Sequence, residues 1–242
     1  MAKSKVTVPD LDEADGLGSG RVYREIRDGI IEGRLPAGAR LKASELAERF
    51  GTSTNPVREA LQRLQGEGFV VISPNRGARV RSVDEDFVRN VYEIIALVEP
   101  YLVRWFAETA SPADIARLAA IQAEIEVAGF DDQEAYGNRD SAFHGMTYAP
   151  HYNSEALALW ARQRGILRAI SRRFPFTEPR RRAILAEHRA LIDAIRSHDP
   201  DAAARVVEAH VRGAGLHLTE RLRAERLSRR ETEPAHRLGA TA

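Results

Sequence analysis

Strand-forming sequence is confined to one short stretch of the chain, and this constrains the fold more than any other feature. Phe69-Val-Val-Ile72 and Ala78-Arg-Val-Arg81 are β-branched runs, and the turn Ser-Pro-Asn-Arg-Gly (73–77) separates them. This pattern predicts a β-hairpin. After it, apolar residues recur only at helical spacing. The sequence therefore predicts a mainly α protein with one small hairpin.

Six helical segments are predicted after the hairpin, with prolines at their edges, where proline is tolerated. The segments are 84–109, 112–128, 133–148, 153–173, 180–198 and 201–227. Pro100 is the exception, because it lies inside a periodic stretch where local rules predict a kink. Residues 1–18 and 228–242 are interpreted as flexible tails.

Three short helices are predicted before the hairpin. The first ends before Gly33, the second spans residues 44–50, and the third has Pro56 in its first turn. Helix, helix, tight turn, helix and hairpin is the order of a winged helix-turn-helix, in which the third helix enters the DNA major groove. We therefore predict a DNA-binding domain at 19–82 and an all-α bundle at 83–227.

The third predicted helix leaves polar side chains free to contact DNA. Thr54, Asn55 and Arg58 lie off its apolar face, and Thr54 or Asn55 can also cap its start. Arg76 adds a cation to the hairpin, the wing. Residues 21–81 carry twelve Arg and Lys against seven Asp and Glu, whereas the whole chain has a net charge of +1. This local excess is typical of a segment that meets nucleic acid.

Three strings in this segment are distinctive. They are Gly-Arg-Leu-Pro-Ala-Gly-Ala-Arg-Leu (33–41), Glu-Leu-Ala-Glu-Arg-Phe-Gly (45–51) and Asn-Pro-Val-Arg-Glu-Ala-Leu-Gln-Arg-Leu (55–64). With the wing, they resemble the GntR family of regulators. The resemblance implies a homodimer on a pseudo-palindromic operator in double-stranded DNA, with Arg58 contacting DNA and Gly77 letting the wing tip approach the duplex. The family commonly has Arg where this chain has Thr54, so we expect a different half-site preference.

Three histidines lie on apolar faces of the later helices. They are His144, His188 and His210, and Asp140 precedes His144 by four residues, so these two share a helix face. A single inward histidine is ordinarily a hydrogen-bonded core residue. Three imidazoles with one carboxylate instead suit a first-row divalent ion, with a position left for water or ligand.

The strings Arg-Asp-Ser-Ala-Phe-His (139–144) and Glu-His-Arg-Ala-Leu-Ile-Asp-Ala-Ile (187–195) resemble the helical FCD-type effector domain of the FadR branch of GntR regulators. In its metal-binding members the ligands follow the order Asp, His, His, His. Matched to this sequence, the ligands are Asp140, His144, His188 and His210. The resemblance implies a divalent ion, Zn²⁺ ahead of Ni²⁺ or Mn²⁺, in a pocket for a small organic or sugar acid.

One position departs from the FCD pattern. Many members carry a carboxylate-binding Arg where this chain has Ile95, so either another arginine takes that role or the effector is less acidic. The candidates are Arg104, Arg168 and Arg172. Strings like Val98-Glu99-Pro100 are common inside the first FCD helix, so the resemblance implies that Pro100 does not end it.

Composition excludes several classes of protein. No apolar run approaches the roughly 18 residues of a membrane span, and the first 20 residues lack a signal-peptide core. The absence of cysteine excludes disulfides and thiolate metal sites and favours a cytoplasmic location.

The preferred function is a DNA-binding repressor controlled by a small acid. An alternative is a metal-responsive or effector-independent regulator with a structural metal. A metal-dependent hydrolase is disfavoured because no general base is evident: Glu187 adjoins His188, but consecutive helical residues diverge by about 100°. The remaining histidines are interpreted as surface residues. They are His151, His198, His217 and His236.

Overall fold

The computed structural model describes residues 18–74 and 76–232, with side chains as far as Ser228. The predicted tails fall largely outside these ranges, at residues 1–17 and 233–242. The described chain forms a winged unit followed by a helical domain, and the mainly α prediction is confirmed. None of its helices is long and apolar enough to cross a bilayer.

The winged unit has three helices and three short strands. They are α1 (Ser19–Ile31), β1 (Arg40–Leu41), α2 (Ala43–Phe50), α3 (Thr54–Gly66), β2 (Val70–Ser73) and β3 (Gly77–Val80). The strands form an antiparallel sheet in the order β1-β3-β2. The sequence did not predict β1, because two residues are too short to show an alternating pattern. Leu41 pairs with Ala78 and is buried, so β1 closes the sheet onto the helices.

The start of α3 differs from the capping prediction. Ser53 occupies the N-cap position with extended backbone, and Thr54 and Asn55 lie inside the first turn, with no side-chain cap bond. The first N–H groups of a helix have no intrahelical acceptor, so the missing N–H of Pro56 costs no helical hydrogen bond there. The helix can therefore begin two residues before Pro56.

The helical domain contains six described helices. They are α4 (Glu85–Thr109), α5 (Pro112–Ala128), α6 (Gln133–Tyr148), α7 (Ser154–Ser171), α8 (Glu178–Arg196) and α9 (Pro200–Thr232). As the resemblance implied, α4 continues through Pro100. Burial of Leu102 and Val103 just after Pro100 stabilises the helix and offsets the hydrogen bond that proline removes. No glycine or proline follows Gly215 before Pro234, and α9 accordingly runs to Thr232, past the predicted end at residue 227.

The helices of this domain pack around a shared core. Helix α4 lies along α9 and also contacts α6, α7 and α8, while α5 contacts α6 and α8. Fully buried core residues include Leu118, Phe143 and Ile184. This arrangement brings the inner faces of α6, α8 and α9 together.

Arg173, just after α7, joins the helical domain to the winged unit. Its guanidinium donates to the backbone oxygen of Ile31 at the end of α1, and it also pairs with Glu225 on α9. A second ion pair links Arg226 on α9 to Glu85 at the start of α4, at 3.2 Å. The end of α7 is therefore tied directly to α1, the first helix of the winged unit.

The core of the winged unit provides a test of the fold. Leu64 on α3 is fully buried, so Leu64→Ala should leave a cavity and lower the free energy of unfolding by about 2–5 kcal/mol. The exposed neighbour Gln65 is the control, and Gln65→Ala should change that free energy by less than about 0.5 kcal/mol. Urea unfolding followed by circular dichroism measures both. Equal effects would contradict the assignment of the buried face.

Candidate metal centre and DNA-contact surface

Four side chains predicted as metal ligands from the sequence come together in the helical domain. Asp140 and His144 lie on α6, His188 on α8 and His210 on α9, and one ligand atom from each lies within 4.8 Å of all the others. The Nε2 atoms of His144 and His188 are each 3.7 Å from Oδ1 of Asp140. The three imidazole centroids are 5.0–5.3 Å apart, so the rings surround one point.

Hydrogen bonds behind two of the rings orient them towards that point. Nδ1 of His188 lies 2.8 Å from Oε1 of Gln122, whose own amide nitrogen donates to Glu126 at 2.8 Å. Nδ1 of His210 lies 2.8 Å from a carboxylate oxygen of Glu187. An amide oxygen and a carboxylate can only accept, so each Nδ1 carries a proton, and Nε2 is the nitrogen left to bind a metal.

The third ring is held in a similar way. Nδ1 of His144 lies 3.4 Å from the hydroxyl of Tyr148, which itself donates to Glu99 at 3.1 Å. Within the described residues, the buried Nε2 atoms of His144 and His188 have no hydrogen-bond partner. A buried polar atom without a partner is costly, and a metal ion would satisfy both.

The carboxylate of the cluster is also held by neighbours. Asp140 accepts a hydrogen bond from the hydroxyl of Tyr136 at 3.0 Å and an ion-paired bond from Arg164. Burial raises the pKa of Asp140, but Arg164 and the three surrounding histidines outweigh burial and hold it below its ordinary value. The group is therefore an anion at neutral pH.

Burial keeps the imidazoles of His144 and His188 neutral. It lowers the pKa of His188 to about 3, with His210 adding to the effect, and it lowers the pKa of His144 well below its ordinary value, with Arg164 adding to the effect. Neutral imidazole is the form that binds a metal. Three imidazole nitrogens and one carboxylate oxygen fit a divalent first-row ion.

A cavity adjoins the cluster, and its wall is rich in cations. Asp140 and His210 face it, and so do four arginines. The arginines are Arg164, Arg168, Arg172 and Arg180. The cavity also has aromatic walls, contributed by residues such as Tyr92, Tyr136 and Phe176.

The sequence named only part of this arginine set. Arg168 and Arg172 line the cavity, whereas Arg104 does not: it is exposed on α4 and pairs with Asp201 at the start of α9. Arg164 was missed, although it precedes Arg168 by one helical turn on the same face. Arg180 sits in the run Arg180-Arg-Arg182, where the sequence does not show which arginine turns inward.

Other expectations about charged and imidazole side chains were also wrong. Glu187 does not point away from the cluster but contacts the far side of His210, because its long side chain reaches across from α8 to α9. His151 and His217 are buried rather than on the surface, being 6% and 8% exposed. His198 is exposed, and His236 lies outside the described residues.

The predicted DNA-contact residues cluster at the start of α3 and at the wing. Asn55 and Arg58 are exposed, Thr54 is partly exposed, and Val57 behind them is buried. At the wing, Arg76 is exposed. Gly77 has a φ of +74°, a left-handed conformation that favours glycine and gives the wing its tight tip.

Two family models match the chain. The model described as bacterial regulatory proteins, gntR family, covers residues 19–80, and the FCD domain model covers residues 90–213. The galactonate operon transcriptional repressor of Escherichia coli (strain K12) is 30% identical, over 72% of this chain and 85% of that protein. The Nta operon transcriptional regulator of Aminobacter aminovorans is 28% identical, over 72% and 81%.

Solved structures share the fold. Escherichia coli McbR/YncC matches with a TM-score of 0.62 at 20% identity, over 86% of this chain and 99% of that one. A GntR family regulator from Pseudomonas syringae pv. tomato str. DC3000 matches with a TM-score of 0.53 at 22% identity, over 88% and 89%. The matched families and relatives are transcription regulators and not enzymes. With both domains matched, this chain belongs to the GntR family of DNA-binding transcription regulators, with an FCD domain as its C-terminal part.

Proposed function

We propose that this protein is a transcriptional repressor whose operator binding is controlled by a small organic or sugar acid at a metal-containing pocket. The observation that carries the proposal is the pair of buried, partnerless Nε2 atoms of His144 and His188, set beside Asp140. A bound Zn²⁺ would supply a Lewis-acidic position for an effector oxygen. Ni²⁺ or Mn²⁺ are the alternatives compatible with this donor set.

The cavity wall supports an acidic effector. Four arginines line it, and guanidinium groups bind carboxylates with two parallel hydrogen bonds. Arg168 contacts Asn138, and Arg172 lies 3.2 Å from Glu134, so these two side chains are held at the cavity edge. The name of the galactonate operon repressor, 30% identical, supports a sugar acid as the class of effector.

The DNA-reading end of the proposal rests on α3 and the wing. We infer that a homodimer in the cytoplasm places two copies of α3 in successive major grooves of a pseudo-palindromic operator. Thr54, Asn55 and Arg58 would contact the duplex from α3, and Arg76 and Gly77 from the wing. Thr54 gives this reading surface a short hydroxyl in place of a long cationic side chain.

We infer that effector binding reaches the DNA-binding unit through the end of α7. Arg172 and Phe174 line the cavity, and Arg173 between them holds the backbone of Ile31 at the end of α1. Helix α1 in turn packs on α3. A shift of this short segment would therefore move the helix that supports the DNA-reading helix.

The metal proposal predicts one ion per chain. His188→Ala should abolish metal content by elemental analysis and the effector response, while basal operator binding is retained, because α3 lies outside the site. The same variant should lose the stabilisation that a bound ion gives the folded state, seen as a lower Tm that added Zn²⁺ does not raise. His198→Gln, at an exposed histidine near the end of α8, is the control.

A metal-free wild type whose Tm does not change when Zn²⁺, Ni²⁺ or Mn²⁺ is added would contradict the proposal. If operator binding responds to chelation but to no acid, the metal-responsive alternative holds.

The DNA proposal predicts that Arg58→Ala weakens binding to an operator selected from random DNA by about 1–3 kcal/mol. Wild-type affinity should also fall steeply with salt, because phosphate contacts release counterions. Arg89→Ala, at an exposed arginine on α4, is the matched control and should bind as wild type does. Equal affinity of both variants in a fluorescence-anisotropy titration would remove Arg58 from the interface.

The coupling proposal predicts that Arg173→Gln separates sensing from response. Metal content and acid binding should be unchanged, while the effector-induced change in operator affinity, commonly 5–150-fold in allosteric proteins, should fall at least about threefold. The exposed Arg182 on α8 provides the control variant Arg182→Gln. An unchanged ratio of operator affinities with and without the acid would show that the signal does not pass through Arg173.

A further inference from the structure

A second polar pair lines the cavity beyond the metal ligands. His217 follows His210 by seven residues on α9, so both rings lie on the same face of the helix. Both also line the cavity. The ring of His217 is only 8% exposed, although its sequence position favoured a surface residue.

The ring of His217 is held in one orientation. It stacks on Phe176, with centroids 5.4 Å apart and planes 30° apart, and it hydrogen-bonds the backbone of Pro175. Proline has no backbone N–H, so the imidazole must donate to the carbonyl. Nε2 is buried without a partner in the described part of the chain, so Nδ1 is the donor and Nε2 keeps its lone pair. Burial, with Arg180 and Arg221 nearby, lowers the pKa of His217 and keeps it neutral.

Arg180 offers the complementary group. Its Nη1 donates to Glu187 at 2.9 Å and its Nη2 to the backbone oxygen of His210 at 3.0 Å, but its buried Nε has no partner among the described residues. Gly213 makes room for this guanidinium, because a Cβ there would lie 2.5 Å from Nη1 and 3.2 Å from Cζ. The cavity wall thus holds one buried acceptor, His217 Nε2, and one buried donor, Arg180 Nε.

We propose that His217 and Arg180 form a hydroxyl-recognition subsite, so that the effector is a hydroxy acid with a hydroxyl remote from its carboxylate. A hydroxyl both donates and accepts, so it offers the two functions that His217 Nε2 and Arg180 Nε leave unused. A carboxylate or ketone has no hydrogen to give the histidine. A buried acceptor left unpaired is what allows such a site to reject analogues without the hydroxyl.

The spacing indicates the length of the effector. His217 lies seven positions after His210 on the helix, which is about 10 Å along the axis. A carboxylate at the metal end and a hydroxyl at His217 therefore belong to one chain of several carbons. A five- or six-carbon polyhydroxy acid meets this requirement.

The inference rests on the proposed function, since it assigns a subsite in the same pocket, and its test separates the two. Calorimetric titration of the zinc-loaded full-length protein would compare D-galactonate and D-gluconate with hexanoate, which has the same chain length and no hydroxyls. His217→Phe keeps the ring stacked on Phe176 and removes the acceptor, whereas His217→Gln restores an acceptor oxygen. His151→Phe alters a buried histidine that does not line the cavity and serves as the control.

We expect all variants to keep one zinc per chain. Binding of the tighter polyhydroxy acid should weaken at least about tenfold in His217→Phe, recover in part in His217→Gln, and stay unchanged in His151→Phe, with hexanoate unaffected throughout. Unchanged polyhydroxy-acid affinity in His217→Phe, or an equal loss for hexanoate, would overturn the subsite alone. Failure of every acid to bind the zinc-loaded wild type would overturn both the subsite and the proposed function.

Discussion

The helical domain depends on one constraint: three imidazoles from three helices converge on a carboxylate with their Nε2 atoms facing inward. Each ring is set by a hydrogen bond on its far side. Through Gln122, and through Tyr148 to Glu99, these bonds reach α5 and α4, which carry no ligand. All six helices of the domain contribute to the cluster or its support. The contributors are Glu99 on α4, Gln122 on α5, Asp140 and His144 on α6, Arg164 on α7, Glu187 and His188 on α8, and His210 on α9. Packing of the six helices therefore also brings the site together.

Charge explains why such a polar core suits a metal and an acid. Glu99 is fully buried and accepts hydrogen bonds from Tyr148 and Trp160, while Arg164 lies between it and Asp140. Two carboxylates and one guanidinium leave one negative charge, and buried charge without compensation is costly. A bound divalent cation would make the net charge of this group positive, and an effector carboxylate would then neutralise that positive charge. The arginines that line the cavity wall would also attract the effector carboxylate.

The sequence was sufficient where a residue's role followed from its own helix. Asp140 and His144 share one helix face, and His188 and His210 each lie on the apolar face of a later helix. Periodicity therefore predicted that these side chains point inward, and the FCD resemblance supplied their order. It was insufficient where the role depended on which helices meet. Arg104 turned outward to Asp201, whereas Arg164 and Arg180 turned inward, because packing and not periodicity fixes where a long cationic side chain ends. His217 and Glu187 were misjudged for the same reason, and β1 was too short to show a pattern.

The central claim is that a divalent ion occupies the point on which the Nε2 atoms of His144, His188 and His210 converge. X-ray absorption at the zinc edge, on protein loaded with one equivalent of Zn²⁺, tests it most directly. We expect about three nitrogen ligands at roughly 2.0–2.1 Å and a carboxylate oxygen at roughly 2.0–2.2 Å in the wild type, and loss of this zinc environment in His188→Ala and His210→Ala. A zinc environment identical in wild type and both variants would contradict it.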